Sequence, residues 1–304
     1  MKAPSSLFAL LSLMATLAPG CGSGAPQLCD GAAANCDRRY DQVTFAAAHD
    51  SFAYASGGPI QYAAPNQDRP IPEQLEYGIR TFGIRPCPSW SDDPAQQDVV
   101  YVTHNYADFS GALGGEPLLD ILLSIKTFLD AHPSEVISLL EEDTSVTSAQ
   151  VAAVFQQAGL VPYLYIHDPV KGWPTLRSMA QDNQRLVLFT DNTPDQAWQL
   201  PMWSFIVDTN YNITDPSQFS CAFYRGTAAN SLYFINQFIY KDYGGGVVTA
   251  DPGEATIAND PDTAYARALS CWQQMSRIPN FIYVDFFLEG DVKQVVDRLN
   301  ALPR

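Results

Sequence analysis

The chain has 304 residues, of which 46% are hydrophobic and 12% aromatic, and this composition excludes a disordered tail, a linker or a coiled coil. Its 17 Lys and Arg against 33 Asp and Glu give a formal net charge of −16, so the surface repels polyanions and we expect no nucleic-acid partner. The length suits two smaller domains or one large α/β barrel.

The amino terminus predicts export. Lys2, the apolar run 7–18 and Pro19-Gly20 form the pattern of a signal peptide over residues 1–20, and the run is too short to span a membrane. Cys21, followed by Gly-Ser-Gly, also resembles a bacterial lipoprotein site. We therefore expect a secreted protein or a cell-envelope lipoprotein anchored at Cys21, with a linker at 21–40 and one domain at 41–304.

Export permits disulfides. Cys29 and Cys36 bracket a short loop and can clip it, Cys221 and Cys271 can staple a later segment, and Cys87 is then left over. The sequence has no CxxC pair or His/Cys cluster, so we expect no structural zinc site.

From residue 41 onward, short apolar runs alternate with helical stretches, which is typical of β/α units around a parallel sheet. We predict strands at 43–49, 79–85, 99–103, 135–140, 185–190, 204–208, 232–239 and 281–286. We predict helices at 117–132, 148–157 with Ser148 as the cap, 174–180, 263–275 and 292–299. Eight strands with interleaved helices predict a single-domain (β/α)8 TIM-type barrel, regular or distorted.

Two of the four histidines, His49 and His104, stand where a predicted strand ends. Side chains at the carboxyl ends of barrel strands point into a shared mouth, where Arg85 and Asp285 also end predicted strands. Each residue taken alone fits a structural role. Together, two imidazoles can supply the base and the acid of phosphodiester cleavage by an internal hydroxyl, Arg85 can stabilise charge on phosphorus, and Asp285 can orient His49.

The chain resembles the phosphatidylinositol-specific phospholipase C X-domain family, and secreted fungal and bacterial phosphodiesterases of that type in particular. The motifs that carry the resemblance occur in the family's order, and they are Ala48-His49-Asp50-Ser51, Gln74-Leu75-Glu76-Tyr77-Gly78-Ile79-Arg80, Phe128-Leu129-Asp130-Ala131-His132-Pro133-Ser134-Glu135-Val136-Ile137, Trp173-Pro174-Thr175-Leu176 and Val284-Asp285-Phe286.

The resemblance implies that His49 is the general base for the inositol 2-hydroxyl, with Asp285 as its partner. It implies that His104, helped by Asp50, is the general acid for the diacylglycerol oxygen, and that a cyclic inositol phosphate forms. Arg85 falls where metal-independent bacterial members carry an arginine, although Gly83 stands where the family usually carries an acid.

Glu141 aligns with a calcium ligand of eukaryotic members, so Ca²⁺ is the alternative, but a cation at Arg85 would repel it and we expect no metal or other cofactor. Lys241 and Tyr243 are candidate substrate-binding residues, as is Glu141, and a solvated glycine-rich loop is the competing interpretation of the first two. We expect a monomer that acts on a phospholipid at a membrane surface. The alternatives are a related phosphodiesterase for another head group and a non-catalytic surface binding protein.

Overall fold

The computed structural model of the protein describes residues 27–58, 62, 64–89, 93–103 and 115–303. The strands in these ranges are β1 Phe45–Ala48, β2 Thr81–Ile84, β3 Pro86–Pro88, β4 Val100–Val102, β5 Ile137–Glu141, β6 Leu186–Thr190, β7 Gln199–Pro201, β8 Ile206–Asp208, β9 Leu232–Asn236, β10 Tyr240–Asp242, β11 Val248–Ala250 and β12 Phe281–Val284. Eight of them form one parallel sheet in the order β7-β6-β5-β2-β1-β12-β9-β8. The pairs β3-β4 and β10-β11 form separate antiparallel ribbons.

The helices in the same ranges are α1 Ala33–Cys36, α2 Ile71–Tyr77, α3 Leu118–Ala131, α4 Ser148–Gln157, α5 Leu176–Gln181, α6 Met202–Phe205, α7 Pro252–Ala258, α8 Pro261–Met275 and α9 Val292–Asn300. Helix α3 confirms the helix predicted at 117–132 and ends before Pro133, and it buries an apolar stripe formed by Leu118, Ile121, Leu122, Ile125, Phe128 and Leu129. Helix α4 begins as predicted, but its cap is Thr147, whose side chain accepts from the Gln150 backbone N–H, and not Ser148.

The parallel sheet separates two apolar cores, because successive side chains of a strand face opposite sides. On one side, Ala46 and Ala48 of β1 and the outer residues of the other strands pack against α3, α4, α8 and α9. On the other side, Phe45, Ala47 and their counterparts fill the enclosed face, where Tyr40 and Phe281 close the amino end. This alternation fixes which residues beyond each strand can face the interior.

The predicted α/β barrel of one domain is confirmed in a distorted form, as an eight-stranded parallel sheet curled into a half-barrel. One predicted barrel strand was wrong. Residues 99–103 give β4, which pairs with β3, and the eighth place in the sheet belongs to β7. Pro86 and Pro88 lack an N–H, so β3 can pair only as an edge, and it holds β4 outside the sheet.

Two disulfides staple the described chain, Cys29–Cys36 and Cys221–Cys271, and Cys87 is buried as a free thiol. These pairings confirm those predicted from the sequence. The predicted signal peptide and the lipid site at Cys21 lie outside the described residues. Among the described helices, none combines the length and apolar character that a membrane crossing requires.

Candidate active site

Polar residues gather at the carboxyl edge of the sheet, where each follows the last inward-facing apolar residue of its strand. His49 follows β1, Arg85 follows β2, Glu142 follows β5 and Asp285 follows β12. The register pairs Ala47 with Tyr283 and Gly83 with Leu140, so the residues two places further on share the same enclosed face. The structure thus brings together four of the residues predicted from the sequence, which are His49, Asp50, Arg85 and Asp285.

Asp285 and Phe238 hold the His49 ring in place. Its Nδ1 lies 2.8 Å from Oδ1 of Asp285, and the Asn66 amide donates to the same oxygen at 3.0 Å. The Phe238 ring stacks on the imidazole with 4.4 Å between centroids and 1° between planes. Because a carboxylate only accepts hydrogen bonds, Nδ1 carries the proton, and Nε2 is the nitrogen that can accept one from a substrate.

Asp50 links His49 to Arg85. One carboxylate oxygen lies 3.4 Å from His49 Nε2, and the other lies 2.7 Å from Arg85 Nε. Arg85 Nη1 also lies 3.3 Å from the largely exposed Asp143. Asp50 holds this position with a φ of 41°, a conformation that non-glycine residues rarely adopt and that is concentrated at functional sites.

The electrostatics of the site place opposing demands on His49. Burial alone lowers the pKa of its imidazole, but the Asp50 and Asp285 carboxylates outweigh burial, and the pKa is raised above the usual 6.5. Burial also lowers the pKa of the Arg85 guanidinium, but the charges of Asp50, Glu142 and Asp143 more than offset burial. The pKa is raised, and the guanidinium stays charged. The site therefore pairs a titratable base with a permanent cation.

Glu141 and Glu142 have different surroundings. Glu141, the residue predicted from the sequence, is fully buried on the outer side of β5, where burial and then Asp191 raise its pKa to about 7. Glu142 is nine-tenths buried on the inner side, and Arg225, Arg85 and His49 partly offset the pKa rise that burial causes. The structure therefore places Glu142, and not Glu141, beside the residues of the mouth.

The structure does not bring Lys241 and Tyr243 to His49. Both lie on the β10-β11 ribbon and contact Asp251, with 3.4 Å from the Lys241 Nζ and 2.7 Å from the Tyr243 hydroxyl. Tyr240, on the opposite face of the same ribbon, lies nearer, with 6.3 Å between its ring centroid and that of His49. Successive residues of a strand face opposite sides, so Tyr240 faces away from Lys241 and from Tyr243, which directly follows β10.

His104 lies outside the described residues, so its predicted role stays a prediction. The sequence reasoning also missed Asn66 and Phe238. Asn66 is on a loop without periodicity and gives no local signal. Phe238 lies two residues beyond β9, and its stacking on the His49 ring is visible only in the structure.

Comparisons with known proteins identify relatives of this chain. A PI-PLC X domain-containing protein of Arthroderma benhamiae is 27% identical over 295 residues, which cover 90% of each chain. An Arabidopsis thaliana protein with the same type of name is 24% identical, and an uncharacterized secreted protein of A. benhamiae is 25% identical. The present chain spans 62% and 64% of the lengths of these last two.

Solved structures show the same fold. A phosphatidylinositol-specific phospholipase C of Staphylococcus aureus superposes with a TM-score of 0.59 at 16% identity, covering 88% of this chain and 95% of that one. The enzyme of the same name from Listeria monocytogenes gives 0.52 at 16% identity, covering 88% and 96%. The family model described as PI-PLC X 1 matches residues 35–300. The chain therefore belongs to the PI-PLC X family.

Proposed function

We propose that this protein is an exported phosphodiesterase that cleaves phosphatidylinositol-type lipids into diacylglycerol and a cyclic inositol phosphate. The observation that carries the proposal is the buried His49 imidazole, bonded through Nδ1 to Asp285 and joined through Asp50 to Arg85 at the mouth of the sheet. This arrangement supplies an oriented base beside a cation, which transfer of a phosphoryl group to an internal hydroxyl requires.

In the first step, Nε2 of His49 removes the proton of the inositol 2-hydroxyl, and the hydroxyl oxygen forms a new bond to phosphorus. Asp285 accepts from Nδ1 and stabilises the imidazolium that results. Asn66 donates to Asp285 and holds the carboxylate in place.

The bond between phosphorus and the glyceryl oxygen then breaks. His104 donates a proton to that oxygen, so diacylglycerol leaves as a neutral alcohol. Arg85 faces the negative charge that develops on the phosphate oxygens, and its planar donors suit that geometry. His49 returns its proton to solvent, or, when water opens the cyclic product, to the inositol 2-oxygen that leaves phosphorus, while His104 takes the proton of the attacking water.

We propose that the reaction needs no metal. Among the described residues no group of three His, Cys, Asp or Glu side chains is placed to hold an ion. A better test is the chemistry of the mouth: the Asp50 carboxylate bonds the Arg85 guanidinium, and Asp143 and Glu142 lie around the same cation. A Ca²⁺ ion among these carboxylates would meet the positive charge of Arg85, so the residues present do not fit it.

Export and a membrane-surface substrate complete the proposal. The two disulfides suit an oxidising compartment, and one relative carries the name of a secreted protein. We propose that the protein works as a monomer on phospholipid, either released or tethered through lipid on Cys21.

The test is release of water-soluble inositol phosphate from phosphatidylinositol vesicles by the purified protein, in EDTA and in calcium. We expect activity in EDTA, and a loss of about 10²- to 10⁴-fold in His49→Ala. His132→Ala is the matched control, because His132 ends α3 at the amino edge of the sheet, away from the mouth.

Activity only in calcium would contradict metal independence. An equal loss in His132→Ala would point to a general effect on folding. If neither condition gives product, other phosphodiesters are tested with the same variants, and inactivity on all of them would favour a surface binding protein.

A further inference from the structure

The Tyr283 hydroxyl is a buried polar group that the mechanism above does not use. Tyr283 lies on β12 between Phe281 and Asp285, on the enclosed face, and only 1% of its surface is exposed. Its hydroxyl oxygen is buried and has no hydrogen-bond partner among the described residues. A donor in that state destabilises the fold, and a ligand that accepts its hydrogen bond removes this penalty.

Two small residues let this side chain cross the sheet. Tyr283 pairs with Ala47 of β1, whose short side chain leaves the ring room to extend toward β2. There it meets Gly83, where a Cβ atom would overlap the Tyr283 hydroxyl and lie 3.2 Å from the Asp50 backbone nitrogen. The hydroxyl oxygen therefore occupies the space that any other residue at position 83 would fill.

This position is directly beneath the candidate catalytic groups. His49 stands two residues after Ala47, and Arg85 stands two residues after Gly83, so both follow on the same face. The Tyr283 ring meets the His49 ring edge to face, with 5.1 Å between centroids. The hydroxyl therefore lies at Gly83, on the same face as the base and the cation and below them.

The charges around the hydroxyl keep it protonated. Burial raises the pKa of Tyr283 well above 10, the carboxylates of Glu142 and Asp50 raise it further, and the opposing effect of Arg85 is smaller than these. A protonated phenol is a neutral donor of one hydrogen bond.

We propose that the Tyr283 hydroxyl donates a hydrogen bond to a phosphate oxygen of the bound phosphodiester, next to Arg85, and is a catalytic residue of the site. The inference rests on the proposed phosphodiesterase function, because it takes the bound group to be a phosphoryl group. The Tyr283 hydroxyl then acts as an uncharged donor below the phosphorus, and Arg85 approaches the same phosphate from the rim of the mouth.

Removing a hydroxyl that bonds only a ligand and removing one that bonds within the fold have different effects on stability and on binding. In the ligand-free protein Tyr283→Phe removes an unpartnered polar atom, so the variant should melt at the same temperature as the wild type or higher, while phosphate binding should weaken. Tyr233 is the matched control, since it is a buried tyrosine on the outer face of β9 whose hydroxyl donates to the Cys221 carbonyl at 2.8 Å. Tyr233→Phe should show the reverse, a lower melting temperature with unchanged binding.

The experiment measures the Kd of inorganic phosphate by calorimetry and the melting temperature, for the wild type and both variants, together with cleavage of phosphatidylinositol. We expect Tyr283→Phe to weaken phosphate binding and to lower kcat, each by about tenfold, since it removes one hydrogen bond to an anion. Gly83→Ala is a second variant, which keeps the hydroxyl but displaces it, and it should also weaken phosphate binding.

Unchanged phosphate affinity in Tyr283→Phe would overturn the proposal, as would a wild-type protein that binds no phosphate. If phosphate binds and depends on Tyr283 while phosphatidylinositol is not cleaved, the donor is established and the proposed lipid substrate is wrong. The two failures are therefore distinguishable.

Discussion

At the residue scale, the site depends on one imidazole that burial and two carboxylates influence in opposite directions. Burial favours the neutral ring, which can act as a base, and Asp50 and Asp285 favour the charged ring. The carboxylates outweigh burial, so they stabilise the imidazolium that forms when His49 removes a proton. The cost is that more of the base is protonated at mildly acidic pH.

This balance predicts the pH dependence of activity. The base must be unprotonated, so kcat/KM falls as the pH drops through the raised pKa of His49, and we expect the acid limb above pH 6.5. Asp50→Asn removes the carboxylate with the largest raising effect, so the limb should move to lower pH. A pH–rate profile on phosphatidylinositol measures both.

Asp143→Asn is the control, because Asp143 contacts Arg85 from the exposed side and is not one of the main charges that act on His49. A limb at the same pH in Asp50→Asn and in the wild type would show that Asp50 does not set the pKa of the base.

At the element scale, the alternation of side chains along each strand decides which residues face the mouth. The sequence shows this alternation only in part. His49, Arg85 and Asp285 were predictable because each ends an apolar run. Glu142 was not, since both faces of β5 are buried and its run shows no alternation that would separate it from Glu141. Strand β7 has three residues and contains Pro201, which is too short a pattern to predict a strand.

The Cys29–Cys36 clip places a carboxyl group in an unfavourable position at the opposite edge of the sheet. Asp30 is 2% exposed, and neither carboxylate oxygen has a hydrogen-bond partner in the part of the chain that the structure describes. Burial raises its pKa to about 7 from 3.8, although the charges of Lys293 and Arg80 act against burial, with Glu135 and Asp297 adding to it. The native state therefore holds a proton that the unfolded chain releases.

Stability should accordingly fall as the pH rises. Below pH 3.8 Asp30 is protonated in both the native and the unfolded state, and its full contribution to the free energy of unfolding is present. That contribution falls once the unfolded chain releases the proton, and it is lost when the pH has risen through about 7, where the native state releases it too. Asp30→Asn removes this dependence and should raise the free energy of unfolding at pH 8, by up to about 4 kcal/mol. Urea unfolding of both proteins at pH 5.5 and pH 8 tests this, and a gain of equal size at the two pH values would contradict the role of Asp30.

At the scale of the whole molecule, the charge and the proposed substrate oppose each other. The chain carries a formal net charge of −16, and phosphatidylinositol vesicles are also anionic. Long-range repulsion therefore slows the encounter, while Arg85 and Arg225 act only at close range inside the mouth.

Salt should therefore accelerate the reaction. The Debye length shortens from about 30 Å at about 10 mM salt to about 8 Å at about 150 mM, so repulsion between protein and vesicle is screened. We expect initial rates on phosphatidylinositol vesicles to rise severalfold over this range, and less on vesicles diluted with zwitterionic phosphatidylcholine. A rate that falls with salt would instead indicate an attractive contact between a cationic face of the protein and the membrane.

The pairing of β1 with β12 makes the site a late product of folding. His49 and Asp285 are 236 residues apart in sequence, and their contact depends on the last strand docking beside the first. A chain emerging from the ribosome or crossing a membrane therefore has the base long before it has the carboxylate that orients it. The charge pair at the centre of the mouth forms only when the sheet is nearly complete, so the appearance of activity during refolding would report closure of the β1–β12 seam.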